Sequence, residues 1–141
     1  MSIPLWVLLG YAAWTLLTLF ATVGVYRWGH ILTGRTGIAE WRADEVQGNE
    51  WYRRAVRAHQ NCLENLPIYT AIAVALVATR ITNPILDGLA ITVLVARICQ
   101  TLLHLSVEQT NVVASLRFTF FLLQAICMMG MGILIAAAAS A

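Results

Sequence analysis

Residues 3–26 contain no charged side chain and are almost entirely apolar, and this run limits the folds that the chain can adopt. An α-helix needs about 20 consecutive apolar residues to cross the hydrocarbon core of a bilayer. A cleavable signal peptide has a shorter apolar core that follows basic residues, and no basic residue precedes this run. We therefore expect a first membrane-spanning helix here.

The composition of the whole chain also favours a membrane protein. Of its 141 residues, 60% are hydrophobic and only 11% are charged, so a soluble domain of this size could not bury its apolar surface. We expect one compact membrane domain over residues 1–141. The net charge of +2 is too small to indicate a nucleic-acid partner, and three scattered cysteines provide no disulfide framework.

Residues 66–79 are apolar but fall short of the length that a spanning helix needs. This helix can cross the bilayer only if it also includes the preceding residues, back to about Ala58. The extension brings Asn61 and Glu64 to the membrane boundary or below it.

Two longer apolar segments follow, and each is interrupted by one arginine. Arg97 lies within residues 85–105, and Arg117 lies near the start of residues 112–139. Together with the first two segments, they predict an all-α integral membrane protein, a bundle of four transmembrane helices. The predicted helices span about residues 3–27, 55–80, 85–106 and 112–139.

Arginine is concentrated in the connection between the first two helices, and the positive-inside rule places such loops in the cytoplasm. We therefore expect the first and third connections in the cytoplasm and both termini outside it. In a bacterium this membrane would be the inner, or cell, membrane. The arginines concerned are Arg27, Arg35, Arg42, Arg53 and Arg54.

Three of the predicted helices each have one stripe of polar residues. Successive residues of a helix turn by about 100°, so residues spaced three, four and seven apart share a face. Because the helices alternate in direction, the stripes lie at one depth near the cytoplasmic face. Ionisable groups at that depth cost several kcal/mol unless they face partners or water, which favours a shared cavity. The stripes are Arg57, Asn61 and Glu64 on the second helix, Arg97, Gln100, Thr101 and His104 on the third, and Arg117 and Gln124 on the fourth.

Two other interpretations of these polar residues are open. In a structural ion-pair network, Glu64 and Arg97 would lock two helices together. Three arginines on the stripes face only one acidic residue, however, which favours an anionic ligand with carboxylates. In a metal site, the ligands would be His59, Cys62 and His104. No zinc-binding spacing is present and the surrounding arginines would repel a cation, so no metal is predicted.

The segment RAHQNCLENLP, residues 57–67, resembles the signature of the MAPEG family, the membrane-associated proteins in eicosanoid and glutathione metabolism. The pattern R-A-H-x-N-x-x-E-N-x-P is specific when it opens a second spanning helix. ARICQTLLHL at residues 96–105 and ASLRF at residues 114–118 are similar to the family's third helix and to the start of its fourth. The match is strongest over residues 52–69, and the four-helix layout covers the chain.

The resemblance implies a homotrimer that binds glutathione between neighbouring protomers near the cytoplasmic face. The implied activity is that of a glutathione transferase or peroxidase. It would use glutathione as co-substrate and a small hydrophobic electrophile dissolved in membrane lipid. The residues implied by position are Arg57, Asn61 and Glu64 to hold the tripeptide, Arg97, Gln100 and His104 to line the site, and catalytic Arg117 nearest the thiol.

One departure from the family's pattern narrows the implied activity. Phe121 stands where prostaglandin-producing members have a tyrosine. A bacterial-type member that resembles microsomal glutathione transferase is therefore favoured over an enzyme of eicosanoid synthesis. The alternative is a non-enzymatic membrane scaffold, or a lipid- or anion-binding protein, of the same fold.

Overall fold

The computed structural model describes residues 1–42 and 45–140. Within these residues the regular structure is entirely helical, with no strand. Four helices are long and apolar enough to cross a membrane, which confirms the predicted fold class. They are α1, Ile3–Leu32; α2, Glu50–Thr79; α3, Pro84–Ser106; and α4, Asn111–Ala139.

Both α1 and α2 extend beyond their predicted limits at the arginine-rich end of the bundle. α1 runs to Leu32 and α2 begins at Glu50, each between one and two turns farther than predicted. The apolar pattern marks the part of a helix that lies in hydrocarbon, whereas backbone hydrogen bonding continues until a cap ends it. Asn49 caps α2, because its Oδ1 accepts a hydrogen bond from the backbone N–H of Tyr52 at 2.8 Å.

Short, capped connections join the remaining helices. Asn83 Oδ1 accepts a hydrogen bond from the backbone N–H of Ile85 at 2.9 Å, and Pro84 occupies the first turn of α3. Thr110 Oγ1 accepts in the same way from Val113 at 3.2 Å. These tight turns make consecutive helices antiparallel neighbours, and α3 and α4 share the most extensive contact.

A π-helical segment, Leu19–Gly24, interrupts the α-helical winding of α1. A π turn is wider than an α turn, so it changes the direction in which the following side chains point. Beyond it, Tyr26 stacks on Tyr52 of α2 with ring centroids 4.5 Å apart. Arg27 Nε donates a hydrogen bond to the Tyr52 hydroxyl at 2.6 Å. These contacts fix the end of α1 against the start of α2.

Among the described residues, two apolar clusters form the core, one toward each end of the bundle. The larger contains Val7 of α1, Leu76 of α2, Leu86 of α3 and Ile135 of α4. The smaller lies at the opposite end, where α1 meets the start of α2. Along the helices, a layer of buried polar side chains lies between the two clusters. The polar residues that sequence patterning singled out belong to this level of the bundle.

Candidate functional site

Four of the seven residues predicted for the site are buried on α3 and α4, and we call these four the floor. Their side chains lie inside the bundle of the single protomer. The exposed fractions are 1% for Arg97, 4% for Gln100, 6% for His104 and 8% for Arg117.

The other three predicted residues, Arg57, Asn61 and Glu64, lie on α2, and we call them the rim. Arg57 and Glu64 are exposed and Asn61 is half-buried. Arg57 Nη1 donates a hydrogen bond to Gln109 Oε1, in the α3–α4 connection, at 3.4 Å. Glu64 makes no ion pair within the described part of the chain. The ion pair between Glu64 and Arg97 is therefore not formed inside this protomer.

Hydrogen-bonding groups connect the rim to the floor. The side-chain amide of Asn61 lies 3.1 Å from His104 Nε2, and Arg117 Nη1 lies 3.0 Å from His104 Nδ1. These residues belong to α2, α3 and α4, so the two contacts tie three helices together at the level of the polar layer. These two contacts thus bring three of the predicted site residues together.

A pair of glutamine side chains fixes the backbone of α4 at Arg117. Gln100 Nε2 donates to the Arg117 carbonyl oxygen at 2.9 Å, and Gln100 Oε1 accepts from Gln124 Nε2 at 3.1 Å. Gln124 is fully buried and also donates to the Phe120 carbonyl at 2.8 Å. Main-chain and side-chain contacts therefore both determine where the Arg117 guanidinium lies.

Arg97 and Arg117 each retain a guanidinium edge on which two nitrogens lack partners. Nε and Nη2 are adjacent on one edge of the group, and in both residues they are buried with no hydrogen-bond partner among residues 1–42 and 45–140. We call this the open edge. Its geometry suits a carboxylate, which can accept two parallel hydrogen bonds from it. Because a buried donor without an acceptor costs about 1–3 kcal/mol, an anion or water at these edges would stabilise the bundle.

Tyr11 of α1 is an aromatic neighbour of Arg97 that the sequence patterns did not indicate. The Arg97 Cζ atom lies 5.9 Å from the centroid of the Tyr11 ring, within range of a cation–π interaction. Tyr11 is fully buried, and its hydroxyl has no hydrogen-bond partner in the part of the chain that the structure describes. The phenol ring compensates the buried charge in part, and the open edge of Arg97 remains.

α1 has a polar stripe of its own, which a search for charged and amide residues misses. Tyr11, Thr15, Thr18 and Thr22 are all buried, and at about 100° per residue they lie within about 60° of one another. Each threonine hydroxyl donates to a carbonyl of the preceding turn, so its polarity is satisfied within the helix. The four-, seven- and eleven-residue spacing is the signal that could have identified this face.

Arg57 of the rim lines a surface cavity of about 460 Å³ at the start of α2. This volume falls in the range of small-molecule pockets, about 300–1,000 Å³. Arginines outnumber acidic residues in its lining, and the Arg54 Nε atom is buried without a partner among the described residues. The cavity therefore attracts anions. Its lining residues are Glu50, Arg53, Arg54, Arg57, Glu108 and Gln109.

The cysteines and histidines are dispersed in the described ranges. No group of three or more His, Cys, Asp or Glu side chains that could hold a metal ion occurs among residues 1–42 and 45–140. Cys62 is buried with its Sγ 3.6 Å from Thr101 Oγ1 of α3, so its thiol packs inside the bundle. Cys62, Cys99 and Cys127 are free thiols.

Fold and polar layer together define a four-helix integral membrane protein with a cationic interior near one end. The chain belongs to the MAPEG family, whose sequence model matches residues 4–137, nearly its whole length. The resemblance drawn from residues 57–67 is thereby confirmed. MAPEG proteins are membrane proteins of glutathione and eicosanoid metabolism. No curated protein and no solved structure matches the chain.

Proposed function

We propose that this protein is an integral-membrane glutathione transferase that conjugates glutathione to small hydrophobic electrophiles. The main support is the combination of two open arginine edges, on Arg97 and Arg117, with a rim that presents Arg57 and Glu64. Positive charge exceeds negative charge here, and one carboxylate lies among the cations. A ligand with several carboxylates and one ammonium group complements this arrangement.

Glutathione has this chemistry, because it contains two carboxylates, one ammonium group, two peptide groups and one thiol. Arginines bind carboxylates through charge-assisted hydrogen bonds, and Glu64 offers an acceptor for the ammonium group. Asn61 offers a side-chain amide to the peptide groups. The surface cavity beside Arg57 supplies a route from water. The residues present therefore fit the co-substrate in charge and in hydrogen-bonding type.

Arg117 is the floor residue that we assign to the thiol. It is the most exposed of the four floor residues, at 8%, and no described residue accepts a hydrogen bond from its open edge. Thiolate, not thiol, is the nucleophile, and a guanidinium beside sulfur favours the thiolate. The thiol proton passes to water, and a sulfur lone pair forms the bond to the electrophile. A halide then departs with its electron pair, whereas an activated alkene takes up a proton from water. Reduction of a lipid-soluble peroxide by the same thiolate is the nearest variant of this activity.

The electrophile approaches from the lipid. Next to Arg117, α4 exposes large apolar side chains: Phe118 is 62% exposed, Phe121 41% and Leu122 45%. A small apolar molecule dissolved in the bilayer can move along this surface without entering water. These side chains supply an apolar wall beside the thiol.

Both termini are proposed to lie outside the cytoplasm, so that the arginine-rich connection between α1 and α2 faces it. The mouth of the site then opens to the compartment where glutathione is made. This orientation also places the surface cavity at Arg57 on the cytoplasmic side.

We predict that the detergent-solubilised protein is a homotrimer. Glu64 lies roughly 20 Å along α2 from Glu50 by helix rise, and it is exposed. A charged side chain that faces lipid costs several kcal/mol, so further copies of the chain are expected to cover this face and to share the site. Native mass spectrometry measures the oligomeric state. A clean monomer that still bound glutathione would exclude a site between subunits.

The purified protein is expected to accelerate conjugation of glutathione to an aromatic halide or an activated alkene. The measurement is conjugate formed per unit time in detergent, against the same sample after heat denaturation. A scaffold, or a lipid- or anion-binding protein of this fold, would leave the rate at the level of the denatured control. That result would favour the non-enzymatic alternative.

Arg57→Ala and Glu64→Gln are each expected to weaken glutathione binding by about 10-fold to 100-fold. The reason is that a hydrogen bond to a charged group contributes about 1.5–3 kcal/mol. Both residues are exposed, so the fold should tolerate the changes. Isothermal titration with glutathione measures the effect, with Cys62→Ala as a control inside the bundle. Equal weakening by Cys62→Ala would mean that the rim is not the binding surface.

A further inference from the structure

We propose that His104 is a positioning residue that fixes the Arg117 guanidinium and does not itself contact the ligand. His104 lies on α3 between Asn61 of α2 and Arg117 of α4, with one ring nitrogen directed at each. It is 6% exposed, and both nitrogens are occupied within the protomer. Family resemblance assigns His104 to the lining of the glutathione site, so this geometry gives it a different role.

The chemistry of the 3.0 Å contact determines which group donates. A guanidinium has only N–H donors and no acceptor, so Arg117 Nη1 must donate and His104 Nδ1 must accept. Nδ1 can accept only if it carries no hydrogen. The imidazole in this contact is therefore the neutral ring with its one hydrogen on Nε2.

The second contact follows from the first. Because Nε2 bears the hydrogen, it donates to the Asn61 amide 3.1 Å away, and the amide must present its oxygen. In the structure, Asn61 Nδ2 faces His104 Nε2, and a half-turn of the amide puts Oδ1 in that position. The hydrogen-bond network determines which of the two orientations is correct. The donation then runs in one direction, from Arg117 to His104 to Asn61. It leaves the amide N–H groups of Asn61 available to a ligand.

This arrangement holds the Arg117 guanidinium at one edge and leaves the other edge without a partner among the described residues. His104 holds Nη1 and Gln100 holds the backbone carbonyl, while the open edge of Nε and Nη2 stays free. A guanidinium anchored in this way presents a fixed pair of donors to an anion, with little entropy left to lose. The effect on turnover rests on the proposed function, whereas the hydrogen-bond assignment does not.

Two variants of similar polarity distinguish the roles of the two ring nitrogens of His104. In His104→Asn the side-chain oxygen can take the place of Nδ1, so the contact with Arg117 survives. In His104→Gln the terminal amide takes the place of Nε2, so the contact with Asn61 survives and Arg117 loses its anchor. We expect His104→Asn to retain kcat within about threefold and His104→Gln to lose about 10-fold to 100-fold. Glutathione Kd should change little in either variant. If His104→Asn and His104→Gln lost kcat equally, the positioning role would be wrong. It would also be wrong if the two variants lost thermal stability equally and this loss explained the fall in kcat.

A second measurement tests the hydrogen-bond assignment without any ligand. The protein is labelled with ¹⁵N-histidine, and its ring-nitrogen shifts are compared with those of His104→Asn, which lacks the His104 signals. Unprotonated Nδ1 and protonated Nε2 are expected for His104 at neutral pH. A hydrogen on Nδ1 would overturn the proposal, because Arg117 could not then donate to it. If the wild-type protein shows this tautomer but no conjugation, the proposed function fails while the His104 contact stands.

Discussion

Replacing Arg117 with alanine is expected to lower kcat for conjugation by about 100-fold and to change glutathione affinity only a few-fold. The Arg117 guanidinium interacts most strongly with the thiolate, which forms after glutathione has bound. Removing the guanidinium should therefore lower kcat more than it lowers affinity. His104 Nδ1 anchors the guanidinium of Arg117 and Gln100 Nε2 anchors its backbone carbonyl, so contacts within the protomer orient the side chain. Steady-state kinetics with a lipid-soluble electrophile measures the change.

The thiolate absorbance of bound glutathione across pH provides the mechanistic readout for the same variant. A nearby cation favours the deprotonated sulfur, so its removal should raise the pKa of the bound thiol and move the titration to higher pH. Arg117→Lys should restore part of the lowering of the thiol pKa, since lysine keeps the positive charge but lacks the planar pair of guanidinium donors. Arg80→Gln, at the far end of α2, is the control. An unchanged titration in Arg117→Ala would assign activation of the thiol to another group, with Arg97 the first candidate.

Helical periodicity predicted much of the arrangement of polar residues, because a membrane leaves few places for polar side chains. Gln100, His104, Arg117 and Gln124 were grouped by their spacing alone, and the structure buries all four. Their mutual contacts follow from helices that alternate in direction and that are joined by short turns. The RAHQNCLENLP segment provided the family, which spacing alone could not.

Periodicity could not decide which stripe faces the protomer's own interior. The α2 stripe has the same geometry as the others, yet Arg57 and Glu64 are exposed while Arg97 is buried. A polar stripe that faces a second copy of the chain has the same sequence periodicity as one that faces its own bundle. The sequence therefore cannot distinguish the exposed rim from the buried floor. Tyr11 was missed for another reason: a phenol ring in an apolar run reads as a core residue.

Replacing Arg97 with methionine is expected to leave the ligand-free protein as stable as the wild type, or more stable by about 1–4 kcal/mol. Arg97 is 1% exposed and no described residue accepts a hydrogen bond from its open edge, so the variant removes a buried charge that is poorly compensated. Methionine is unbranched and flexible and can fill the same space against Tyr11. Arg97→Lys is the matched control, since it keeps a buried charge and should give no gain in stability.

Glutathione binding should respond to Arg97→Met in the opposite direction. A buried cation acts on an anionic ligand through its charge, and even without direct contact, at roughly 10 Å and an effective dielectric constant of about 20, the attraction is about 1.7 kcal/mol. Affinity should therefore fall by more than about tenfold, and the rise in unfolding temperature on adding glutathione should shrink accordingly. Thermal unfolding in detergent, with and without glutathione, measures both effects in one experiment.

Strong destabilisation of ligand-free Arg97→Met would contradict this expectation and would indicate a partner for Arg97 outside the protomer. Glu64 is the natural candidate, because it is exposed on α2 and makes no ion pair within the described residues of its own chain. A double-mutant cycle with Glu64→Gln decides between the two possibilities. If Arg97→Met destabilises the wild type but not the Glu64→Gln background, the two residues are paired in the assembly. If the effects add, Glu64 is not the partner of Arg97. If Arg97→Met is instead as stable as the parent in both backgrounds, the charge of Arg97 serves binding at the expense of stability.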